Sequence, residues 1–292
     1  MRNPLRAWSG RLALAWLVAS QALAQPATAR DTSGSWALGL AGQADQHSND
    51  SLLATISWGV RPTTWLSFST GRSTSADDFA DVTADTLVAT VDHRFGTVGF
   101  ILGVERWGDA SALETTDLLG SVYFVRERWR LALGYENRDI EIPFTLTGPL
   151  GNTLHRTAEV AADSYRVDLR LSVAQNWRLF LGAAEYDYER NLSVLPRIDR
   201  LNLLSASTLT LANSFIDDQR SLGFESDLGR TLLNVRFATD RSAIDGSKFE
   251  TVDVALLMPI GRRMDFEVNL GRGRSEFGSG SYAGLMLLLY SR

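Results

Sequence analysis

Three histidines, His47, His93 and His155, are the residues of this 292-residue chain best suited by type to move a proton near neutral pH. His47 lies between Asp45 and Asp50, His93 directly follows Asp92, and His155 sits in a long polar segment. A histidine oriented by a carboxylate is the usual base of a hydrolase, and such a pair at a rim would suit hydrolysis. The spacing does not support it. Neighbouring residues of a strand face opposite ways, so Asp92 cannot orient His93, which reads instead as an interfacial side chain. The pairs Asp77-Asp78 and Asp217-Asp218 read as solvated loop acids, and no Gly-x-Ser-x-Gly elbow is present. "GSGSYA", Gly278 to Ala283, has the glycine spacing of a dinucleotide fingerprint but follows a loop and opens a strand, the wrong context. Walker, His-x-x-x-His and EF-hand spacings are missing. No cysteine is present, which rules out disulfides, thiol nucleophiles and thiolate metal sites. The expectation is a non-enzyme with no catalytic residue, no metal site and no cofactor.

A different pattern carries the information. In "SYRVDLRLSV", Tyr165, Val167, Leu169 and Leu171 share one parity, and Arg166, Asp168, Arg170 and Ser172 the other. Strand side chains alternate between two faces, so this stretch has an oily face and a charged face. Either a half-buried strand of a soluble sandwich or the wall of a membrane barrel would fit.

The chain opens "MRNPLRAWSGRLALAWLVASQALAQ", with Arg2, Arg6 and Arg11 ahead of an apolar run that closes on Ala22-Leu23-Ala24. That is an export signal, residues 1–24, with the mature chain beginning at Gln25. The run is too short for a helix across a bilayer, and no longer one follows. Removing the three signal arginines takes the formal charge from -5 to about -8. An acidic chain lacks the clustered Lys and Arg that nucleic acid requires, so no nucleic-acid partner is expected.

After a short segment, 25–33, alternation repeats without a helical interval over 34–292. Leu52, Ile56 and Trp58, then Leu66 and Phe68, then Leu87, Val91 and Phe95 mark outward faces, and the series runs on to Val252, Val254, Leu256 and Met258, to Met264, Phe266, Val268 and Leu270, and to Tyr282, Met286, Leu288 and Tyr290. This yields about 14 strands, with 12 or 16 as alternatives. Short turns ("RPTT", "FGT", "RE", "AQN", "DLGR", "PIGR") alternate with long polar segments such as "GRSTSADDFADVTAD" and "GRGRSEFGSGS", and with 137–163 and 187–219. Loops segregated by length to opposite ends are the rhythm of an up-and-down barrel, which a sandwich has no reason to show. Trp58, Trp65, Trp129 and Trp177 stand beside the short turns, where an aromatic girdle would lie.

On these features the mature chain resembles a bacterial outer-membrane β-barrel, and is similar in size and strand count to small monomeric porin-like channels. The likeness is one of architecture, and the ending "LMLLLYSR" departs from the terminal aromatic residue common in that group. The resemblance implies an all-β transmembrane antiparallel barrel, monomeric, in the Gram-negative outer membrane. Its termini would be periplasmic. It also implies contact with lipid and lipopolysaccharide, and with the barrel-assembly machinery during biogenesis.

The inward parity carries Asp92, Arg94, Glu105, Arg130, Glu136, Arg138, Arg166, Asp168, Arg170, Arg178, Glu225, Arg236, Asp253, Arg263, Asp265 and Glu267, which are expected to line a lumen. Isolated charges cannot sit in low dielectric, so these must be hydrated or paired across strands. A channel for passive diffusion of small hydrophilic solutes or ions is the expected function. The alternatives are a non-channel surface or export-associated barrel acting with partner proteins, and a rim hydrolase. Segment 137–163 reads as a hairpin that continues above the membrane; 187–219 is apolar enough to fold inward, stand as a second tall hairpin or add two strands.

This assignment of faces is testable at adjacent residues. Leu169→Arg should cost about 2–4 kcal/mol if residue 169 meets mid-bilayer lipid, whereas Asp168→Asn should leave stability nearly unchanged. In the cysteine-free background, Asp168→Cys should react with a water-soluble thiol reagent and Val167→Cys should not. Equal destabilisation by the two substitutions, or equal labelling, would invert the faces.

Overall fold

A computed structural model describes residues 33–46, 49–75, 82–109, 113–147, 153–189, 215–243, 246–275 and 278–291. The signal sequence, nearly all of the segment 25–33, His47, Asp77, Asp78 and most of 187–219 fall outside the described residues. Fourteen strands follow in order: β1 (Trp36–Asp45), β2 (Asp50–Arg61), β3 (Thr64–Ser75), β4 (Val82–Phe95), β5 (Val98–Asp109), β6 (Leu113–Val125), β7 (Trp129–Thr147), β8 (Thr153–Ala174), β9 (Trp177–Tyr188), β10 (Ile216–Leu228), β11 (Thr231–Ser242), β12 (Lys248–Pro259), β13 (Met264–Ser275) and β14 (Gly278–Tyr290). Each pairs antiparallel with its neighbours in sequence, and β1 pairs with β14, so the sheet closes on itself. No helix interrupts it among the described residues.

Closure follows from the connections. Phe95 pairs with Val98 and Leu228 with Thr231, so these turns contain two residues each. Such tight hairpins require a backbone with positive φ, which Gly96 at 59° and Gly229 at 72° supply without a Cβ clash. All short turns lie at one end together with the first and last described residues. There the N–H of Trp36 donates to Ser291 Oγ at 2.8 Å, and the N–H of Ser291 donates to the carbonyl of Trp36 at 2.9 Å.

The outside carries an apolar belt all the way round. Leu40, Ile56, Leu102, Leu118, Leu133, Leu181, Leu222 and Leu270 are all exposed, Leu270 to 58%. A soluble protein does not leave so continuous an oily surface bare, whereas lipid is the natural solvent for it. Trp36, Trp58, Trp129 and Trp177 project outward by the short turns, Trp177 stacked on Phe224 at 5.3 Å. His93 belongs to this rim. It shares a 2.7 Å hydrogen bond with Thr64 and packs edge-on against Phe95 at 4.1 Å, the interfacial role expected of it.

Three features differ from the sequence reading. Trp65 pairs with Gly59 and Asp92 and alternates with the exposed Leu66, which puts it on the inner face rather than in the girdle. Several polar segments read as long loops are strand: β3 runs on through Gly71 to Ser75, and β13 through Gly271 to Ser275. The last strand is turned over: Tyr282, Met286, Leu288 and Tyr290 share the inner face with Gly271, Glu267 and Asp265, and Leu285, exposed to 55%, is the lipid-facing residue. The cause is local. Both faces of 285–289 are apolar, so alternation leaves no mark there.

The 137–163 segment forms the tall hairpin expected of it, with β7 and β8 paired as far as Thr147 and Thr153. β9 and β10 pair directly, which keeps the count at fourteen.

Leu285→Arg should cost about 2–4 kcal/mol in denaturant titrations of the lipid-embedded barrel, and Met286→Gln clearly less. The reverse ranking would restore the opposite orientation of β14.

Candidate functional site

The lumen wall is built from the inward parity of all fourteen strands, and its charges form two tiers. The tier nearer the short turns is partly exposed. Glu225 on β10 lies between Arg170 of β8, which donates to it, and Arg178 of β9, whose Nε lies 2.8 Å from Oε2. Arg178 also grips Asp227 with both terminal nitrogens at 2.9 and 2.6 Å. Arg166 pairs with Asp168, two residues along the same strand, at 2.7 Å. Arg166, Asp168 and Arg170 retain about a quarter of their exposure, 30%, 26% and 27%, while Glu225 between its two arginines retains 14%. Water reaches them, as a strand wall with charged residues on one parity requires.

The tier nearer the long connections is dry. Arg138 donates from Nε and Nη2 to the two carboxylate oxygens of Asp117 at 3.0 and 3.1 Å, and a third contact reaches Glu136 at 2.7 Å. Its guanidinium lies over the Tyr186 ring at 5.0 Å. Side-chain exposure falls to 11% for Arg138 and 2% for Asp117. A bidentate fork with a stacked ring is what an arginine needs to remain charged out of water. Glu105 pairs in register with Asp117 and so joins this group.

The remaining expected residues are dispersed around the wall. Asp92 accepts from the Tyr123 hydroxyl at 2.6 Å, and Arg130 lies over that ring at 4.2 Å. Arg236 and Asp253 are register partners, and Asp253 accepts from Tyr282. Asp265 accepts from Tyr290 at 3.1 Å, and Glu267 pairs with Met286. Arg94 turns its Nε to the carbonyl of Gly96 at 2.7 Å, and Arg263 lies in the turn before β13, beyond the wall. Asp117, Asp227, Asp240, Tyr123, Tyr186 and Tyr282 share the inner face as well. The three aspartates lie in segments that read as turns or loops, which concealed their parity.

Most of the charges occupy β4 to β13; on the remaining strands the inner face is largely neutral, with Asp45 at the long-connection end of β1. On β2 and β3 hydroxyls pair across the strands, Thr55 with Ser69 at 2.9 Å and Ser57 with Ser67 at 2.8 Å. Beside them Ala41, Leu53 and Met286 pack together inside the lumen, with Leu288 against them.

Large inward rings lie flat against the wall because glycine faces them on the next strand. A Cβ at Gly99 would overlap Tyr123, one at Gly223 would overlap Phe180, and one at Gly271 would overlap Tyr282. Glycine's missing side chain thereby keeps three rings out of the central space.

The two described histidines, His93 and His155, do not converge. His155 takes the outward parity of β8 near the hairpin tip, far along the chain from the His93 rim. Among the described residues no group of three metal-ligating side chains occurs.

Solved structures with similar folds are membrane barrels. A FadL homologue from Pseudomonas aeruginosa superposes with a TM-score of 0.55 at 8% identity, covering 88% of this chain and 90% of its own. A loop L8 deletion mutant of OmpT, an outer membrane protein of Vibrio cholerae, gives 0.49 at 10% identity, covering 88% and 98%. The KdgM porin in complex with disordered oligogalacturonate gives 0.46 at 9% identity, covering 88% and 99%. Such identities speak to the fold alone, that of a bacterial outer-membrane β-barrel. No protein-family model and no curated protein sequence matches the chain.

Gly271→Val should cost about 1–3 kcal/mol through overpacking against Tyr282 and be close to neutral on a Tyr282→Ala background. A double-mutant cycle in denaturant measures this; additive costs would show that the ring does not rest on the glycine.

Proposed function

We propose that this chain is an outer-membrane channel for the passive diffusion of small hydrophilic solutes and ions. The observation that carries the reading is the partly exposed ion-paired wall of Arg166, Asp168, Arg170 and Arg178, with Glu225 bridging two of the arginines, inside a closed fourteen-stranded ring. A barrel of about 8 strands can be filled by its own side chains and one of 16–18 leaves an aqueous passage. Fourteen stands near the open end, and flattened rings leave that space to water. In this reading lipid and lipopolysaccharide surround the apolar belt of a monomer, and the short turns with both termini face the periplasm. The wall needs no enzymatic chemistry.

Ion preference follows from the sign of the wall. Its inward carboxylates outnumber its arginines once Asp117, Asp227 and Asp240 are included, so the lumen adds to the acidity of Asp45, Asp50 and Asp109 at the long-connection end. A net negative passage concentrates cations.

Reconstitution in planar bilayers should give discrete conductance steps. Reversal potentials across a salt gradient should show modest cation preference that fades toward 1 M salt, where the Debye length is about 3 Å. Absence of steps at every voltage and pH would refute the channel. Anion preference at low salt would instead assign the constriction to Arg166, Arg170 and Arg178.

A further inference from the structure

The inner face changes character abruptly with height. Inward positions of β7 run Arg130, Ala132, Gly134, Glu136 and Arg138, then Ile140 and Ile142. Those of β8, followed in the same direction, run Arg170, Asp168, Arg166 and Ser164, then Ala162 and Val160. A side chain aimed into a water-filled lumen gains nothing from being apolar. Yet Ile140 and Ile142 are each 1% exposed, Phe215 1% and Leu113 0%. They form one cluster with Ala84 and Val160, and Trp107, Tyr188 and Ala243 pack against it. The cluster draws on β4 through β9 and on the residues that flank β10 and β11, more than half of the ring. Side chains on a concave wall reach such low exposure only when the space before them is filled. The long-connection mouth is therefore packed with hydrocarbon along this arc, directly above the dry Arg138 tier.

The element that contributes most to this packing is tied to the barrel differently from its neighbours. Among the described residues the last pairing of β7 with β6 is Glu141 with Glu114, and the last of β8 with β9 is Ala162 with Tyr188. Beyond those points the ribbon of 142–147 and 153–161 keeps its own ladder. Among the described residues its apolar side chains pack on the wall, and a backbone bond from the Glu189 N–H to the Ala161 carbonyl, 3.0 Å, joins it to the end of β9. Beneath it the Arg138–Asp117 fork and the bond from the Tyr188 hydroxyl to the Ile216 carbonyl, 2.9 Å, fasten the base of the ribbon to β6 and β10. A ribbon fastened at its foot and paired above chiefly with itself can lean away without breaking the barrel's ladder.

We propose that the upper β7–β8 ribbon is the gate of the pore: Ile142 and Val160, packed on Ile140, Leu113 and Phe215 of the fixed wall, close the long-connection mouth, and passage requires that contact to part while the ion-paired wall below stays in place. An apolar constriction blocks hydrated ions because they would have to shed water to cross it. The inference rests on the channel reading, and the following experiment separates the failure of one from that of the other.

Thr90 lies on the inner wall, half-buried below the mouth, and Thr90→Cys supplies the chain's single thiol. In proteoliposomes with the long connections outward, a charged, membrane-impermeant thiol reagent added outside should label it slowly. Adding Ile142→Asp should hydrate the gate and speed labelling tenfold or more, and should raise the open fraction of single channels in planar bilayers. Ile142→Ser serves as a milder second variant, and the shift of folded barrels on unheated gels checks that each is folded. Rapid labelling without Ile142→Asp would show an open mouth and overturn the gate even with conductance intact. Slow labelling in folded forms of both variants would overturn it equally. Faster labelling in the variants with no conductance in any form would uphold the ribbon as a closure and refute the channel.

Discussion

Every peptide group of a membrane-embedded strand must find a hydrogen-bond partner within the protein, because lipid offers none. A sheet meets that condition only by closing, and the pairing of β1 with β14 is the closure. Much else follows from this constraint. A closed sheet has one face toward lipid and one toward its own interior, so residue parity becomes a solvent assignment. The apolar belt, the tryptophan rim and the charged wall are three readings of the same alternation. The interior can then hold arginines and carboxylates at high density, provided each has water or a counter-charge within reach.

The legibility of the sequence tracks where lipid imposes that alternation. Along β8, Tyr165 to Leu171 alternates sharply because one side meets hydrocarbon and the other water, and both face and strand could be read directly. Beyond the bilayer the outer face meets water too, so polarity no longer marks parity. Residues 71–75 and 271–275 are therefore polar on both sides and read as loops, although the ladder continues through them. The same blurring hid Asp240 and Asp117, which sit toward the long-connection ends of their strands. In β14 the failure is the reverse: Leu285 to Leu289 is apolar on both faces, so the residues could not show which parity meets lipid. Trp65 misled for another reason, since its position beside a turn suggested the girdle while its alternation with Leu66 and Phe68 placed it inward. The candidate site was legible as a set of residue types. Its division into wet and dry tiers depends on partners several strands apart, such as Arg170 with Glu225, which spacing along the chain does not encode.

The two tiers also divide the work of stability. Partly exposed pairs such as Arg166 with Asp168 are screened by water and contribute about 0–1 kcal/mol each, so they shape the lumen's field more than they hold the barrel together. Arg138 is different. With Asp117 almost wholly buried, loss of either partner would strand a charge in a dry space, and the group acts as a fixed joint between β6 and β7.

The seam between β1 and β14 has a temporal meaning. Trp36 and Ser291, bonded at 2.8 Å, are 255 residues apart in sequence, so the contact that completes the ring joins the first strand made to the last. Until β14 arrives, thirteen strands present two raw edges, each able to pair with a neighbouring chain. At this seam Met286 and Leu288 pack on Ala41 and Leu53 inside while Leu285 and Leu287 face outward, so oil lies on both sides of the joint. Hydrocarbon contact needs no exact alignment of donors and acceptors, and it lets the two edges find each other roughly before the ladder locks. The join that closes last is thus the most forgiving, and a chain that fails there remains an open, adhesive sheet.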